Sequence, residues 1–212
     1  MKKENAKNRQ DQLLRHDREL ATLRGFRSLA GVDEAGRGPL AGPVVAGAVI
    51  VRDFSFFNRV DDSKKMTALQ RQRAFGEILA KASVGLGVVE HYEIDRLNIL
   101  QATLTAMRQA VLALSDVPDG VVVDGTQLPD LPYPLIPIID GDAKSFVIAC
   151  ASVVAKVLRD RMMDYYDGQY PEYGFARHRG YGTKDHLQAL RDRGPCRIHR
   201  RSFEPVRSLI AV

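Results

Sequence analysis

The sequence predicts an α/β fold in which helices pack on a central sheet. The segment Val44–Val51 is nearly all apolar, as is typical of a strand that is covered on both faces. A second short run, Val121–Val123, is β-branched, which also favours a strand. Between them, Ile94–Leu114 carries apolar residues at spacings of three and four, the pattern of an amphipathic helix. Strands that alternate with helices of this length are typical of α/β domains.

The first half of the chain begins with residues 1–12, which are charged and poor in apolar side chains, so we expect them to be disordered. Leu13, Leu14, Leu20 and Leu23 then predict a short helix that ends at Gly25. The further elements predicted here are a strand from Leu29 to Asp33, the strand Val44–Val51, a helix from its N-cap Thr67 to about Lys81, and a strand from Val84 to His91.

The second half begins with the predicted helix Ile94–Leu114, followed by a strand that ends at Asp124. A proline-rich connection separates this strand from the next, Leu135–Ile139. The remaining elements are a long helix from about Lys144 to Tyr166, a loop rich in tyrosine and glycine over 167–182, and a helix from about Thr183 to Arg193.

Length and composition limit the organisation of the protein. At 212 residues the chain suits one domain, which we place at 13–212 with a helical C-terminal portion from about residue 144. The net charge of +5 fits a polyanionic partner. No apolar run approaches membrane-spanning length, and Cys150 and Cys196 lie far apart, so we expect a reduced, cytoplasmic protein. With no coiled-coil seam, a monomer is expected.

Four acidic residues follow apolar runs or glycine turns. Asp33, Glu34 and Asp124 each stand at the end of a predicted strand, and Asp142 lies at a glycine turn before a helix. Alternation along a strand sends Asp33 and Glu34 to opposite faces, so a shared site requires the glycine turn after them. Carboxylates gathered at one sheet edge repel one another unless cations neutralise them. Oxygen ligands of this kind favour Mg2+ or Mn2+.

Some candidate site residues also have a purely structural interpretation. Asp124, followed by Gly125, suits a turn, and Asp142 can cap the helix that begins near Lys144. Taken alone, either aspartate is better explained in this way. Tyr181, taken alone, is better explained as a half-buried aromatic of a loop.

An ordered set of motifs resembles bacterial ribonuclease HII, the type 2 ribonucleases H. The motifs run from about Ala21 onward and are Gly31–Pro39, Asp62–Lys65, Ile94–Ile99, Val123–Gly125, Gly141–Ser145, Ile148–Arg161, Gly180–Thr183 and Ile198–Phe203. The resemblance implies a ribonuclease H-like fold with a mixed sheet. It also implies an endonuclease that hydrolyses the RNA strand of RNA–DNA hybrids and cuts on the 5' side of single ribonucleotides in duplex DNA.

The resemblance assigns roles to the acidic residues. Asp33, Glu34, Asp124 and Asp142 correspond to the catalytic carboxylates that hold two divalent ions, Mg2+ or Mn2+, and cleavage leaves a 3'-hydroxyl and a 5'-phosphate. Two such ions can activate a water and stabilise the leaving oxygen.

The resemblance also assigns residues that bind the substrate. The turn Gly36, Arg37 and Gly38 corresponds to the family's 2'-hydroxyl reader, and Tyr181 to the tyrosine that packs on the deoxyribose at the RNA–DNA junction. We expect Lys64 and Lys144 to contact phosphates.

Two other functions compete with this hypothesis. A two-metal DNA nuclease or strand-transfer enzyme shares clustered carboxylates, but it has no need to recognise a 2'-hydroxyl. A non-catalytic protein that binds hybrids fits the basic charge, but it leaves the carboxylates without a role. The Gly-Arg-Gly turn together with Tyr181 argues against the DNA nuclease.

Overall fold

A mixed five-stranded sheet forms the centre of the protein. The computed structural model describes residues 2–210, with side chains from residue 8 onward. The strands are β1 (Leu29–Ala35), β2 (Val44–Val51), β3 (Ala82–Val89), β4 (Gly120–Asp124) and β5 (Leu135–Ile138). They lie in the order β3-β2-β1-β4-β5, and β1 is antiparallel to β2 but parallel to β4. The predicted α/β fold with a mixed sheet is confirmed.

Helices cover both faces of the sheet. They are α1 (Lys2–Arg24), α2 (Ala68–Lys81), α3 (His91–Leu97), α4 (Ile99–Leu112), α5 (Phe146–Gln169), α6 (Phe175–His178), α7 (Lys184–Arg193) and α8 (Val206–Ile210). Helix α5 packs on one face with α1 and α2, and α4 packs on the other, so that each face has its own apolar core. No helix between residues 2 and 210 is long and apolar enough to cross a membrane.

The central strand β1 lies unusually close to α5. A Cβ added at Gly31 would lie 2.2 Å from the backbone carbon of Val147, a distance that real Cβ atoms do not reach. Glycine at this position therefore lets the strand and the helix touch backbone to backbone. This contact fixes β1 two residues before Asp33.

A third apolar cluster joins the segment after β1 to the C-terminal helices. Leu40 and Ala41 pack with Phe175, Leu190 and Ile198. The backbone is joined as well, because the Leu40 N–H donates to the Gly180 carbonyl over 2.8 Å. The loop after β1 thus rests on the C-terminal portion of the chain.

The prediction of one continuous helix over Ile94–Leu114 is wrong, because Asn98 interrupts it. Asn98 has φ +69°, which ends α3 and begins α4, and its side chain accepts hydrogen bonds from the Leu100 and Gln101 N–H groups. The apolar spacing continues across the break, so periodicity did not reveal it. Asparagine both tolerates this backbone conformation and caps the next helix.

The N-terminal segment also differs from its prediction, because α1 begins at Lys2 where we expected disorder over residues 1–12. Residues 2–12 contain neither glycine nor proline, so nothing in them interrupts a helix. Arg9 hydrogen bonds to the Ala143 carbonyl, and the Gln10 Oε1 accepts from the Val60 N–H. These long-range contacts hold the helix at Arg9 and Gln10, in a stretch that has few apolar residues.

We predict that Gly31→Ala destabilises the protein by about 1–3 kcal/mol, because the added methyl group overlaps the backbone of α5. Gly76→Ala is the matched control, since this glycine lies inside α2 with nothing within 4 Å of its added Cβ. It should stabilise by about 0.5–1 kcal/mol through helix propensity. Urea unfolding measures both, and a neutral effect of Gly31→Ala would contradict the close packing of β1 on α5.

Candidate active site

The sheet brings the predicted carboxylates together at one edge. Val32 of β1 pairs with Val123 of the parallel strand β4, so Asp33 and Asp124 follow at neighbouring positions. The Asp124 Oδ1 accepts a hydrogen bond of 2.6 Å from the Gly141 N–H, which brings the turn that carries Asp142 to the same edge. Glu34 follows Asp33, and its N–H donates to the Asp33 Oδ1 over 2.7 Å.

The charges of this cluster oppose one another. Asp33 is 4% exposed, and burial, followed by repulsion from Glu34 and Asp124, raises its pKa well above the usual value. Burial also raises the pKa of Glu34, although its ion pair with Arg37 opposes the shift. For Asp142, burial and then repulsion from Asp62 raise the pKa. The site therefore concentrates negative charge that the protein itself compensates only in part.

Asp62 is a fifth carboxylate at this site, and the sequence analysis did not assign it a role. It is buried beside Asp142, and it accepts a hydrogen bond of 2.9 Å from the Lys64 N–H. Burial alone would raise the pKa of Asp62, but this bond and the charge of Lys65 lower it overall. The Asp62–Lys65 motif was the available signal, but its pattern is also that of an ordinary polar loop.

The two lysines predicted as phosphate contacts lie in different surroundings. The Lys64 Nζ is 3.6 Å from the Asp142 Oδ2, and the acidic cluster raises its pKa even though partial burial opposes this. The Lys144 Nζ donates to the Ile139 carbonyl over 2.6 Å. Lys64 thus belongs to the acidic cluster, whereas Lys144 lies at its border.

The donor set fits a hard divalent cation. Asp33, Glu34, Asp124 and Asp142 offer carboxylate oxygens only, as Mg2+ and Mn2+ prefer. A cation would also relieve the repulsion that raises the pKa of Asp33. Across the described residues, no three acidic, histidine or cysteine side chains already point at one common metal position.

The glycine turn after β1 lies beside the cluster. Gly36 has φ +100°, and a Cβ there would lie 2.0 Å from the Arg159 Nε, so only glycine fits. The Arg37 Nη1 folds back to within 3.2 Å of the Glu34 Oε1. A Cβ added at Gly38 would lie 3.7 Å from the Tyr181 ring. The turn and Tyr181, which is 46% exposed, form one continuous surface.

Two buried histidines, His186 and His199, are hydrogen bonded to each other, and His186 is also bonded to the Tyr181 carbonyl. The Cys196 N–H donates to the His199 Nδ1 over 2.9 Å, so the His199 proton lies on Nε2. This Nε2 lies 3.0 Å from the His186 Nε2, which must accept, and the His186 Nδ1–H donates to the Tyr181 carbonyl over 2.9 Å. The hydrogen bonds are mutually consistent only when both rings are neutral. Sequence analysis did not identify this hydrogen-bonded pair, although His186 and His199 are only 13 residues apart and Tyr181 lies five residues before His186.

Comparisons with known proteins identify the family that this chain resembles and the fold that it shares. The family model described as Ribonuclease HII matches residues 30–206. The ribonuclease HII of Geobacter metallireducens is 53% identical over 193 residues, which cover 91% of each chain. The crystal structure of ribonuclease H2 from Pyrococcus horikoshii OT3 has a TM-score of 0.72 at 27% identity, covering 86% of this chain and 96% of that one.

A more distant solved structure shares the fold. It is Bst-RNase HIII in complex with Mn2+, with a TM-score of 0.68 at 15% identity, covering 87% of this chain and 69% of that one.

We predict that the buried histidines make stability depend on pH. Burial lowers the pKa of His186 to about 4 and that of His199 to about 3, below the usual value of about 6.5 in an unfolded chain. The unfolded state therefore binds protons that the folded state does not, and stability falls as the pH falls from about 6.5 to 4. Each histidine contributes about 1.4 kcal/mol per pH unit in that window.

His199→Gln retains a donor toward His186. It should reduce the slope of the unfolding free energy against pH by the contribution of one histidine, about 1.4 kcal/mol per pH unit. Urea unfolding between pH 7.5 and 4.5 measures it. The acidic residues titrate in both proteins, so the difference between the two curves isolates the histidine. Parallel curves for the two proteins would show that His199 titrates normally.

Proposed function

Because the chain belongs to the ribonuclease HII family and is therefore a ribonuclease H endonuclease, we propose that it acts on two substrates. It cleaves the RNA strand of RNA–DNA hybrids and cuts on the 5' side of single ribonucleotides in duplex DNA. The observation that carries this proposal is the acidic sheet edge directly beside a glycine turn flanked by Tyr181. The proposal includes a monomeric enzyme in a reduced cytoplasm.

The proposal includes two divalent ions, Mg2+ or Mn2+, held by Asp33, Glu34, Asp124 and Asp142. When bound, such ions activate a water and stabilise the leaving oxygen. The carboxylate donor set and the raised pKa values of Asp33, Glu34 and Asp142 support this assignment. The Mn2+ complex of a ribonuclease HIII with a similar fold supports a divalent cation in the proposal, but not the number of ions or the residues that hold them.

The chain's own residues would position the substrate. Phosphates are common to DNA and RNA, so an enzyme specific for ribonucleotides must detect the 2'-hydroxyl. The turn Gly36, Arg37 and Gly38 offers the backbone N–H groups of its two exposed residues, Arg37 and Gly38, and Tyr181 offers a ring face beside them for the neighbouring deoxyribose. Lys64 within the acidic cluster and Lys144 at its border add positive charge for the phosphates of the substrate.

Duplex DNA that carries one ribonucleotide tests the proposal. With Mg2+ or Mn2+ we expect a single cut on the 5' side of the ribonucleotide, which leaves a 3'-hydroxyl and a 5'-phosphate. Equal cutting of an all-DNA duplex would favour the DNA nuclease or strand-transfer enzyme. Tight binding without metal-dependent cutting would favour the non-catalytic hybrid-binding protein.

In the same assay, Asp124→Asn should lower the cleavage rate more than about 100-fold. The substitution removes a proposed metal ligand itself, which has a larger effect than removing a residue that only orients a ligand. The melting temperature should not fall, since the substitution also removes a charge that repels Asp33. Asp130→Asn makes the same change at an exposed aspartate outside the cluster, and it should leave cleavage unchanged. Full activity of Asp124→Asn would remove Asp124 from the site.

Tyr181→Ala should slow cleavage at a single ribonucleotide about tenfold, the effect of losing roughly 1.4 kcal/mol of ring packing. Long hybrids should be affected less, because they need not place a deoxyribose at this position. Tyr181→Phe keeps the ring and should cut both substrates nearly as well as the unmodified protein. An equal loss of Tyr181→Ala activity on both substrates would contradict a junction role.

A further inference from the structure

Two arginines lie buried behind the glycine turn without an acidic partner. Arg159 of α5 is 1% exposed and Arg200 is 0% exposed, and neither forms an ion pair with a carboxylate anywhere in residues 8–210. Burial lowers the pKa of Arg159 to about 10 and that of Arg200 to about 9, so both stay charged at neutral pH. A buried charge of this kind is costly unless its donors are satisfied. Here backbone carbonyls satisfy them.

Arg200 forms hydrogen bonds with both ends of the loop that begins with the glycine turn. Its Nη1 donates to the Arg37 carbonyl over 2.8 Å, and its Nη2 donates to the Gly36 carbonyl over 2.5 Å. On the other side of the loop, its Nε donates to the Gly42 carbonyl over 3.0 Å and its Nη2 to the Pro43 carbonyl over 3.2 Å. One planar guanidinium thus fixes the orientation of two consecutive peptide groups in the turn.

The orientation of the carbonyls determines where the N–H groups point. In a trans peptide the C=O and the N–H of the same unit point in opposite directions. Because the Gly36 and Arg37 carbonyls point inward at Arg200, the N–H groups of Arg37 and Gly38 point away from it. Both residues are exposed, and neither N–H has a hydrogen-bond partner within the described part of the chain. Two free donors therefore face outward, side by side.

We propose that Arg200 is a positioning residue for ribose recognition, which aims the Arg37 and Gly38 N–H groups at the 2'-hydroxyl of the substrate. This inference rests on the proposed function, since it assumes that the turn meets a ribose. A guanidinium that donates to a carbonyl also polarises that peptide group, which makes its N–H a stronger donor. Arg200 thereby sets both the direction and the strength of the two donors.

Arg159 has a different set of partners and provides the matched control. It donates to the carbonyls of Pro43, Ala41 and Arg179, at 3.0, 3.2 and 3.0 Å, and to neither carbonyl of the turn. Arg159 packs against Gly36 and shares the Pro43 carbonyl with Arg200, so Arg159→Lys disturbs an equally buried guanidinium that touches the turn while leaving the Gly36 and Arg37 carbonyls on Arg200. A merely structural role predicts the same result for both substitutions, whereas a positioning role does not.

The experiment compares the affinity for two duplexes that differ in one 2'-hydroxyl, measured by fluorescence anisotropy in EDTA so that no cleavage occurs. Arg200→Lys keeps the charge but cannot hold both carbonyls, so its preference for the ribonucleotide duplex should fall about tenfold. Arg159→Lys should keep the preference. An unchanged preference in folded Arg200→Lys, or an equal loss in both variants, would overturn the proposal. If the unmodified protein shows no preference and cuts neither duplex, the proposed function itself fails.

A second measurement does not depend on the variants folding. In 15N-labelled unmodified protein, titration with the ribonucleotide duplex in EDTA should move the amide proton signals of Arg37 and Gly38 downfield. The all-DNA duplex should leave these two signals nearly unchanged. Equal shifts with the two duplexes, or none with either while the ribonucleotide duplex binds more tightly, would place the 2'-hydroxyl elsewhere.

Discussion

The candidate active site depends on a fold that holds mutually repelling carboxylates close together. Asp33 is buried at the end of β1, and both its burial and its acidic neighbours disfavour its charge. The fold overcomes this with rigid elements: the parallel register of β1 and β4, the close contact of Gly31 with α5, and the bond between Gly141 and Asp124. Apolar cores on both faces of the sheet stabilise that arrangement. The conflict among the charges makes the site receptive to cations.

The residues that sequence analysis identified are those with a strong local pattern. Asp124 stands out because it ends an apolar strand before glycine, and Asp33 because it lies near the end of one, three residues before Gly36. Asn98 did not stand out, because the apolar spacing runs across it and only its backbone angle breaks the helix. The helical start of α1 was not predicted, because its contacts are with residues far along the chain and leave no local pattern in the sequence.

Buried polar residues were the hardest to predict. Arg200 is hydrogen bonded to carbonyls more than 150 positions away in the sequence, and no local rule relates the two segments. His186 and His199 resemble surface histidines in sequence, yet they form a neutral hydrogen-bonded pair that ends on the Tyr181 carbonyl. The Ile198–Phe203 motif therefore has a physical explanation: its neighbouring residues His199 and Arg200 support Tyr181 and the glycine turn, the two parts of the surface proposed to bind the substrate.

The clasp of Arg200 on Gly36 and Arg37 joins one of the first segments of the chain to one of the last. During synthesis the carboxylates on β1 and β4 and the Asp142 turn all leave the ribosome before Arg200 does. A nascent chain can thus complete its acidic edge while the adjoining turn still lacks its anchor. In the proposed function, the turn that would recognise ribose therefore gains its anchor later than the acidic edge is assembled.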